Sequence, residues 1–169
     1  LTISHILTLL RGTHFADRNM HRRQWERFQG RRLARTIVGV IGYGRIGSRI
    51  VRLLSAFAGC QVLVHDLDES AVLPDHARYA TLEEIFREAD IVTVHVPLTP
   101  QTLGLINAEK IAQMKPDAFL LNTARGGIVD EEALAKSLRL GEIAGAAIDV
   151  FTQEPYDGPL CDIDPCLLS

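Results

Sequence analysis

The apolar positions change their period along the chain. Leu1, Ile3, Ile6, Leu7 and Leu10 fall close to helical spacing, which predicts an N-terminal helix. A polar, Arg-rich connection follows, in which Trp25 and Phe28 stand as isolated anchors. From residue 37 onward, apolar runs alternate with amphipathic segments. TIVGVI (36–41) is continuous and β-branched, as in a strand buried on both faces. In RIGSRIVRLLSAFA (45–58), Ile46, Ile50, Val51, Leu54 and Phe57 share one helical face. QVLVH (61–65) predicts a second strand and ARYA (77–80) a short one. TLEEIFREA (81–89) reads as a helix opened by Thr81, with Glu84 completing a capping box. DIVTVHV (90–96) is a strand closed by Pro97. NAEKIAQM (107–114) is a short helix with Asn107 as its cap, and AFLLN (118–122) is a strand. DEEALAKSLRLG (130–141) is a helix with acids in its first turn and Gly141 past its end. AGAAIDV (144–150) is the last predicted strand, and the chain is loop-like from Thr152.

Buried strands alternating with helices form βαβ units. The predicted fold is therefore α/β, a doubly wound parallel sheet covered on both faces. The length of 169 residues suits one domain of ordinary size, and 47% hydrophobic residues suffice for a core. No apolar run approaches the ~18–20 residues of a membrane helix, so no membrane partner is expected. No secretory signal pattern stands at the N-terminus. The chain lacks an initiator Met and both ends lie in apolar segments, so we expect a piece of a longer protein.

The net charge of −3 is unevenly spread. Residues 1–35 carry eight Arg against Asp17 and Glu26, a net +6, which leaves −9 on the remainder. Such an arm can be a nucleic-acid contact, a solvated helix face or a subunit contact. No nucleic-acid motif accompanies it, so no nucleic-acid partner is expected. The three cysteines, Cys60, Cys161 and Cys166, are odd in number and form no C-x-x-C pair. That pattern predicts free thiols in a reducing cytoplasm and no metal site.

The candidate chemistry begins at Gly42, Gly44 and Gly47, spaced G-x-G-x-x-G between a strand and a helix. Alone the motif is weak, because a tight turn also uses glycines. In a dinucleotide loop, Gly42 permits the turn, Gly44 leaves room for a pyrophosphate, and Gly47 lets the helix pack against the strand. The N–H groups around Arg45 and Ile46 would then face the phosphates. Asp66 follows Gly47 by 19 residues, at the end of the second strand. An acid there accepts hydrogen bonds from ribose hydroxyls and repels a 2′-phosphate, which favours NAD over NADP.

Three further segments carry a family resemblance: HVPLTPQTLGLIN (95–107), LLNTARGGIVDEEAL (120–134) and AGAAIDVFTQEP (144–155). Together they resemble the D-isomer-specific 2-hydroxyacid dehydrogenases, with the phosphoglycerate dehydrogenase branch nearest. NTARGG and FTQEP speak against other Rossmann enzymes, such as L-series hydroxyacid dehydrogenases or S-adenosylhomocysteine hydrolases. The resemblance implies a Rossmann-type NAD-binding domain, part of a two-domain enzyme that moves a hydride between NAD(H) and a D-2-hydroxy acid or 2-keto acid. 3-Phosphoglycerate is one substrate it suggests. Residues 1–35 would be the N-terminal helix and basic arm, residues 36–155 the NAD-binding domain, and residues 156–169 a loop and the start of a strand.

The implied catalytic residues are Arg125, gripping the substrate's carboxylate and carbonyl, and Glu154, which orients a histidine and raises its pKa. Asp149 is implied beside the nicotinamide carboxamide, and the backbone around Val96, Pro97, Thr123, Ala124 and Arg125 along the cofactor. None of the six histidines follows FTQEP, where the family places its catalytic one. His95 and His65 are expected to be structural. These 169 residues alone are therefore expected to bind NAD without turnover, and a homodimer is implied through the N-terminal region. Some relatives of this family are non-enzymatic, NAD-sensing corepressors, which is the alternative function.

Overall fold

In the computed structural model, which describes residues 1–169, the β-branched and apolar runs become seven parallel strands. The first half of the sheet is β1 (Ile37–Ile41), β2 (Gln61–His65) and β3 (Ala77–Tyr79). The second half is β4 (Ile91–Val94), β5 (Phe119–Asn122), β6 (Gly145–Ile148) and β7 (Cys166–Leu168). The order across the sheet is β3-β2-β1-β4-β5-β6-β7. It reverses between β1 and β4, where Val38 pairs with Ile91 and Ile41 with Val94. Connections leaving the carboxyl ends of these two strands diverge and open a crevice, the usual ligand position in such sheets. β7 falls within residues 156–169, where only the resemblance suggested the start of a strand; its three residues are too few for periodicity to reveal.

The helices are α1 (Thr2–Arg11), α2 (Thr13–His21), α3 (Gly47–Leu54), α4 (Leu82–Glu88), α5 (Ala108–Ile111) and α6 (Glu131–Leu140). One face of the sheet is covered by Ile6, Leu9 and Leu10 of α1 and by Ile50, Val51 and Leu54 of α3. The other is covered by Ile85 and Phe86 of α4, Ile111 of α5, and Leu134 and Leu138 of α6. Every residue of β4, β5 and β6 is buried, which is why those strands read as unbroken apolar runs. No helix is long and apolar enough to cross a membrane.

The two predicted caps, Thr81 and Asn107, form, and Asp130 adds a third at the start of α6. Thr81 Oγ1 accepts from Glu84 N–H (3.2 Å), Asn107 Oδ1 from Lys110 N–H (3.1 Å) and Asp130 Oδ1 from Ala133 N–H (3.0 Å). The box at Thr81 is half made, because the Glu84 carboxylate pairs with Arg78. Three other expectations are corrected. The Arg-rich connection contains α2, which begins at the left-handed Gly12 and buries no residue, so it has no apolar stripe to announce it. Trp25 and Phe28 are not buried anchors; Trp25 is 74% exposed and Phe28 48%. Ile46 precedes α3 and is 54% exposed, away from the core face.

Candidate cofactor-binding site

The glycine loop joins β1 to α3 at the sheet reversal. Gly42 sits at φ 102°, and a Cβ there would lie 2.8 Å from the His95 backbone. A Cβ on Gly47 would meet the Gly42 carbonyl oxygen at 1.9 Å. The protein's own packing therefore demands both glycines. Gly44 differs: nothing lies within 4 Å of its Cβ position, and its φ is not left-handed. A demand for glycine there has to come from a molecule outside the chain. The amides of Gly44, Arg45, Ile46 and Gly47 donate to no backbone carbonyl. They stand at the N-terminus of α3, where free N–H groups and the helix dipole favour an anion.

Asp66 follows β2 and closes the loop's far side. Its Oδ2 accepts from Tyr43 N–H (2.5 Å) and its Oδ1 from Asp68 N–H (3.0 Å). A carboxylate has about four lone-pair positions, so acceptor capacity remains for a diol. Asp68 and Glu69 follow directly. The Ser70 hydrogen bonds hold the Asp68 carboxyl below its ordinary range. This corner carries three acids, which opposes a further phosphate.

A cleft of about 180 Å³ lies at the carboxyl ends of β1, β4 and β5. Its walls are Ile46, His95, Val96, Pro97, Thr123, Ala124 and Arg125. Asn122 braces the turn after β5. Its Nδ2 donates to Arg125 O (2.9 Å) and its Oδ1 accepts from Ala124 N–H (3.1 Å). The exposed Arg125 donates from Nη1 to Ala124 O (2.6 Å). A larger hollow, about 470 Å³, opens between Gly59–Leu63 and Asp75–Arg78 at the amino ends of β2 and β3. It lies away from the strand ends that carry the candidate residues, so the smaller cleft is the relevant one.

His95 lines that cleft, a placement its position in a strand did not signal. Its Nε2 lies 3.0 Å from Thr93 Oγ1, and burial lowers its pKa to about 4. It is therefore neutral at pH 7. Asp149 and Glu154 are not among the cleft walls. Half-buried Asp149 accepts from Ser169 Oγ (2.8 Å), which lies 3.2 Å from His5 Nε2. Burial lowers the His5 pKa, opposed by Asp149. Thr2 Oγ1 is 3.0 Å from Thr123 Oγ1, so α1 also reaches this end of the sheet. Glu154 is exposed, with Oε1 accepting from Phe151 N–H (3.2 Å).

The structure thus gathers most predicted residues on one sheet edge: the glycine loop, Asp66, the ends of β4 and β5, and Asp149. No group of three or more His, Cys, Asp or Glu side chains is arranged to hold a metal ion. Cys60 and Cys166 are buried free thiols, and burial pushes Cys166 up to about 12.

Residues 3–169 match the family model described as D-isomer specific 2-hydroxyacid dehydrogenase, NAD binding domain. The glyoxylate reductase of Thermofilum pendens is 39% identical over 99% of this chain and 52% of its own length. The D-3-phosphoglycerate dehydrogenase of Bacillus subtilis is 43% identical over 95% of this chain and 31% of its own. This chain thus spans between about a third and a half of these relatives. Among solved structures, the NAD-complexed D-isomer specific 2-hydroxyacid dehydrogenase of Lactobacillus delbrueckii ssp. bulgaricus superposes with a TM-score of 0.89. It is 30% identical over 99% of this chain and 57% of that one. A family match across nearly all residues places the chain in the NAD-binding domain family of the D-isomer specific 2-hydroxyacid dehydrogenases.

Proposed function

We propose that this chain is the NAD-binding part of an enzyme that interconverts a D-2-hydroxy acid and its 2-oxo acid. The observation that carries this reading is Arg125 on the wall of the cleft formed by Ile46, Val96, Pro97, Thr123 and Ala124. A guanidinium fork matches a carboxylate with two parallel hydrogen bonds, and its charge polarises an adjacent carbonyl. When bound, NAD supplies the hydride acceptor at C4 of its nicotinamide. The amides around Gly44, Arg45, Ile46 and Gly47 would hold its pyrophosphate, with Gly42 shaping the turn. Asp66 would accept from the adenosine ribose hydroxyls. Val96, Pro97, Thr123 and Ala124 would flank the nicotinamide ribose, and Asp149 would accept from the carboxamide.

Reduction of a ketone also needs a proton at its oxygen. Arg125 cannot release one, because its pKa lies above about 12. His95 is neutral at pH 7, with a pKa of about 4, and so is unprotonated when needed. We assign the proton to a histidine outside these 169 residues. Glu154 would hold that imidazole protonated toward neutral pH. 3-Phosphoglycerate is one substrate in this class, supported by the resemblance to phosphoglycerate dehydrogenases.

The proposed assembly is a cytoplasmic homodimer. Support comes from Leu1, Leu7, Met20, Trp25 and Phe28, large apolar side chains exposed within the first 30 residues. Light scattering of the full-length protein checks the mass. For the activity, NADH oxidation by the full-length protein is measured with a panel of 2-oxo acids, alongside Arg125→Lys. Turnover of at least one acid, lost in the variant, supports the reading. No turnover of any acid by the wild type removes it, and an active Arg125→Lys removes the role given to Arg125.

A further inference from the structure

Arg125 and Glu154 stand 29 positions apart in sequence, on two different loops. Two contacts lock those loops together. The first is a backbone contact: a Cβ on Gly126 would lie 1.9 Å from the Phe151 carbonyl oxygen, so the loops touch main chain to main chain. The second is made by Glu131, the first residue of α6. Its Oε1 accepts from both Thr152 N–H and Thr152 Oγ–H, each at 2.8 Å. Thr152 is two residues before Glu154, and Phe151 N–H donates to the Glu154 carboxylate at 3.2 Å. The turn 151–154 is therefore closed from inside by Glu154 and anchored from outside by Glu131. No Lys, Arg or His pairs with Glu131 within 4.0 Å, so its carboxylate is committed to Thr152.

The rest of the segment is fastened to the same helix and core. Arg139 Nη2, eight residues along α6, donates to Pro159 O at 2.9 Å. Phe151 stacks on Tyr156 at 4.1 Å between ring centroids. Leu160 is completely buried. The Glu131 contact is the tie nearest Glu154.

We propose that Glu131 is a positioning residue, which holds the turn bearing Glu154 in register with Arg125. This rests on the proposed dehydrogenase function. α6 starts six residues after Arg125 in the same connection, so Glu131 makes one rigid frame of the substrate grip and the Glu154 turn. Without Glu131, the Thr152 N–H and hydroxyl lose their acceptor, and the Glu154 carboxylate drifts from the imidazole it supports.

The test uses the full-length protein with NADH and the best 2-oxo acid of the panel. Glu131→Ala is expected to lower kcat/KM about tenfold or more, since displacements near 1 Å carry losses of that order. NADH affinity should stay within about twofold, as the nucleotide loop lies elsewhere. The alkaline limb of the pH profile should move down by about half a unit or more, because a displaced Glu154 supports the imidazolium less. Glu131→Gln retains an acceptor oxygen for both bonds and should restore activity to within about threefold. A wild-type kcat/KM and pH limb in Glu131→Ala would overturn the proposal. So would a Glu131→Gln as impaired as the alanine variant. If Glu131→Ala fails to fold, Thr152→Val removes the hydroxyl bond alone; a lower kcat/KM with the same shift supports the proposal, and no change overturns it. The wild-type protein separates the two levels. If it turns over no 2-oxo acid of the panel, the dehydrogenase function fails; if it turns one over while Glu131→Ala is unaffected, only the role of Glu131 fails.

Discussion

Replacing Gly44 and Gly47 separately with Ala distinguishes a ligand-shaped loop from a merely tight turn. At Gly47 the new methyl would stand 1.9 Å from the Gly42 carbonyl oxygen and 3.0 Å from its carbon, so the backbone must shift. Overpacking of this kind costs about 1–3 kcal/mol. For a domain of this size each kcal/mol lowers Tm by about 2–4 °C. At Gly44 the methyl meets nothing within 4 Å. The change should leave the fold untouched or stabilise it by up to ~1 kcal/mol, through a less flexible unfolded chain. The binding effects run the other way. With the proposed pyrophosphate over the four free amides, a Gly44 methyl would take space that its oxygens need. Hydrogen bonds to charged groups contribute about 1.5–3 kcal/mol each. Losing one or two weakens NAD by about 2–4 kcal/mol, roughly 30-fold to 1000-fold. Calorimetric titration with NAD and thermal melts of the 169-residue chain read both quantities. An unchanged Tm with NAD binding within about threefold of wild type in Gly44→Ala would refute the assignment. A Gly47→Ala variant of undiminished Tm would refute the packing argument.

Three further outcomes follow from individual contacts. Asp66→Ala should weaken NAD by about 1–2 kcal/mol through a lost charge-assisted bond, and narrow the gap to NADP; calorimetry with both cofactors checks this, and a wider gap contradicts it. His95 is lowered from 6.5 to about 4 by burial, so the folded state resists protonation. Its contribution is complete above pH 6.5 and is lost as pH falls toward 4, on the order of 3 kcal/mol in total. Urea midpoints at pH 7 and 5 should therefore diverge less in His95→Gln than in wild type. Asp130→Ala removes the cap of α6 and should cost about 1 kcal/mol, a Tm drop of about 2–4 °C by circular dichroism.

Local chemistry made much of this molecule legible. β4, β5 and β6 are buried on both sides, so burial demanded apolar residues at every position and left unbroken runs. Thr81, Asn107 and Asp130 bond backbone amides three residues on, within reach of a local pattern. Gly42 and Gly47 were readable because the turn between β1 and α3 leaves no room for a side chain. The element that escaped lacks such pressure: α2 buries nothing, while β7, with three residues, was suggested by the resemblance and not by periodicity. Tertiary structure alone decided which distant groups meet. His95 became a wall of the cleft because the sheet reverses between β1 and β4. Ile46 faces outward there because α3 begins one residue later, and Trp25 stays exposed because nothing in these residues packs over it. Glu131 reaches Thr152 across 21 positions of sequence only because the segment after β6 folds back onto α6. Periodicity records how each residue faces its own helix or strand; contacts between loops depend on how those elements are stacked, which no local pattern encodes.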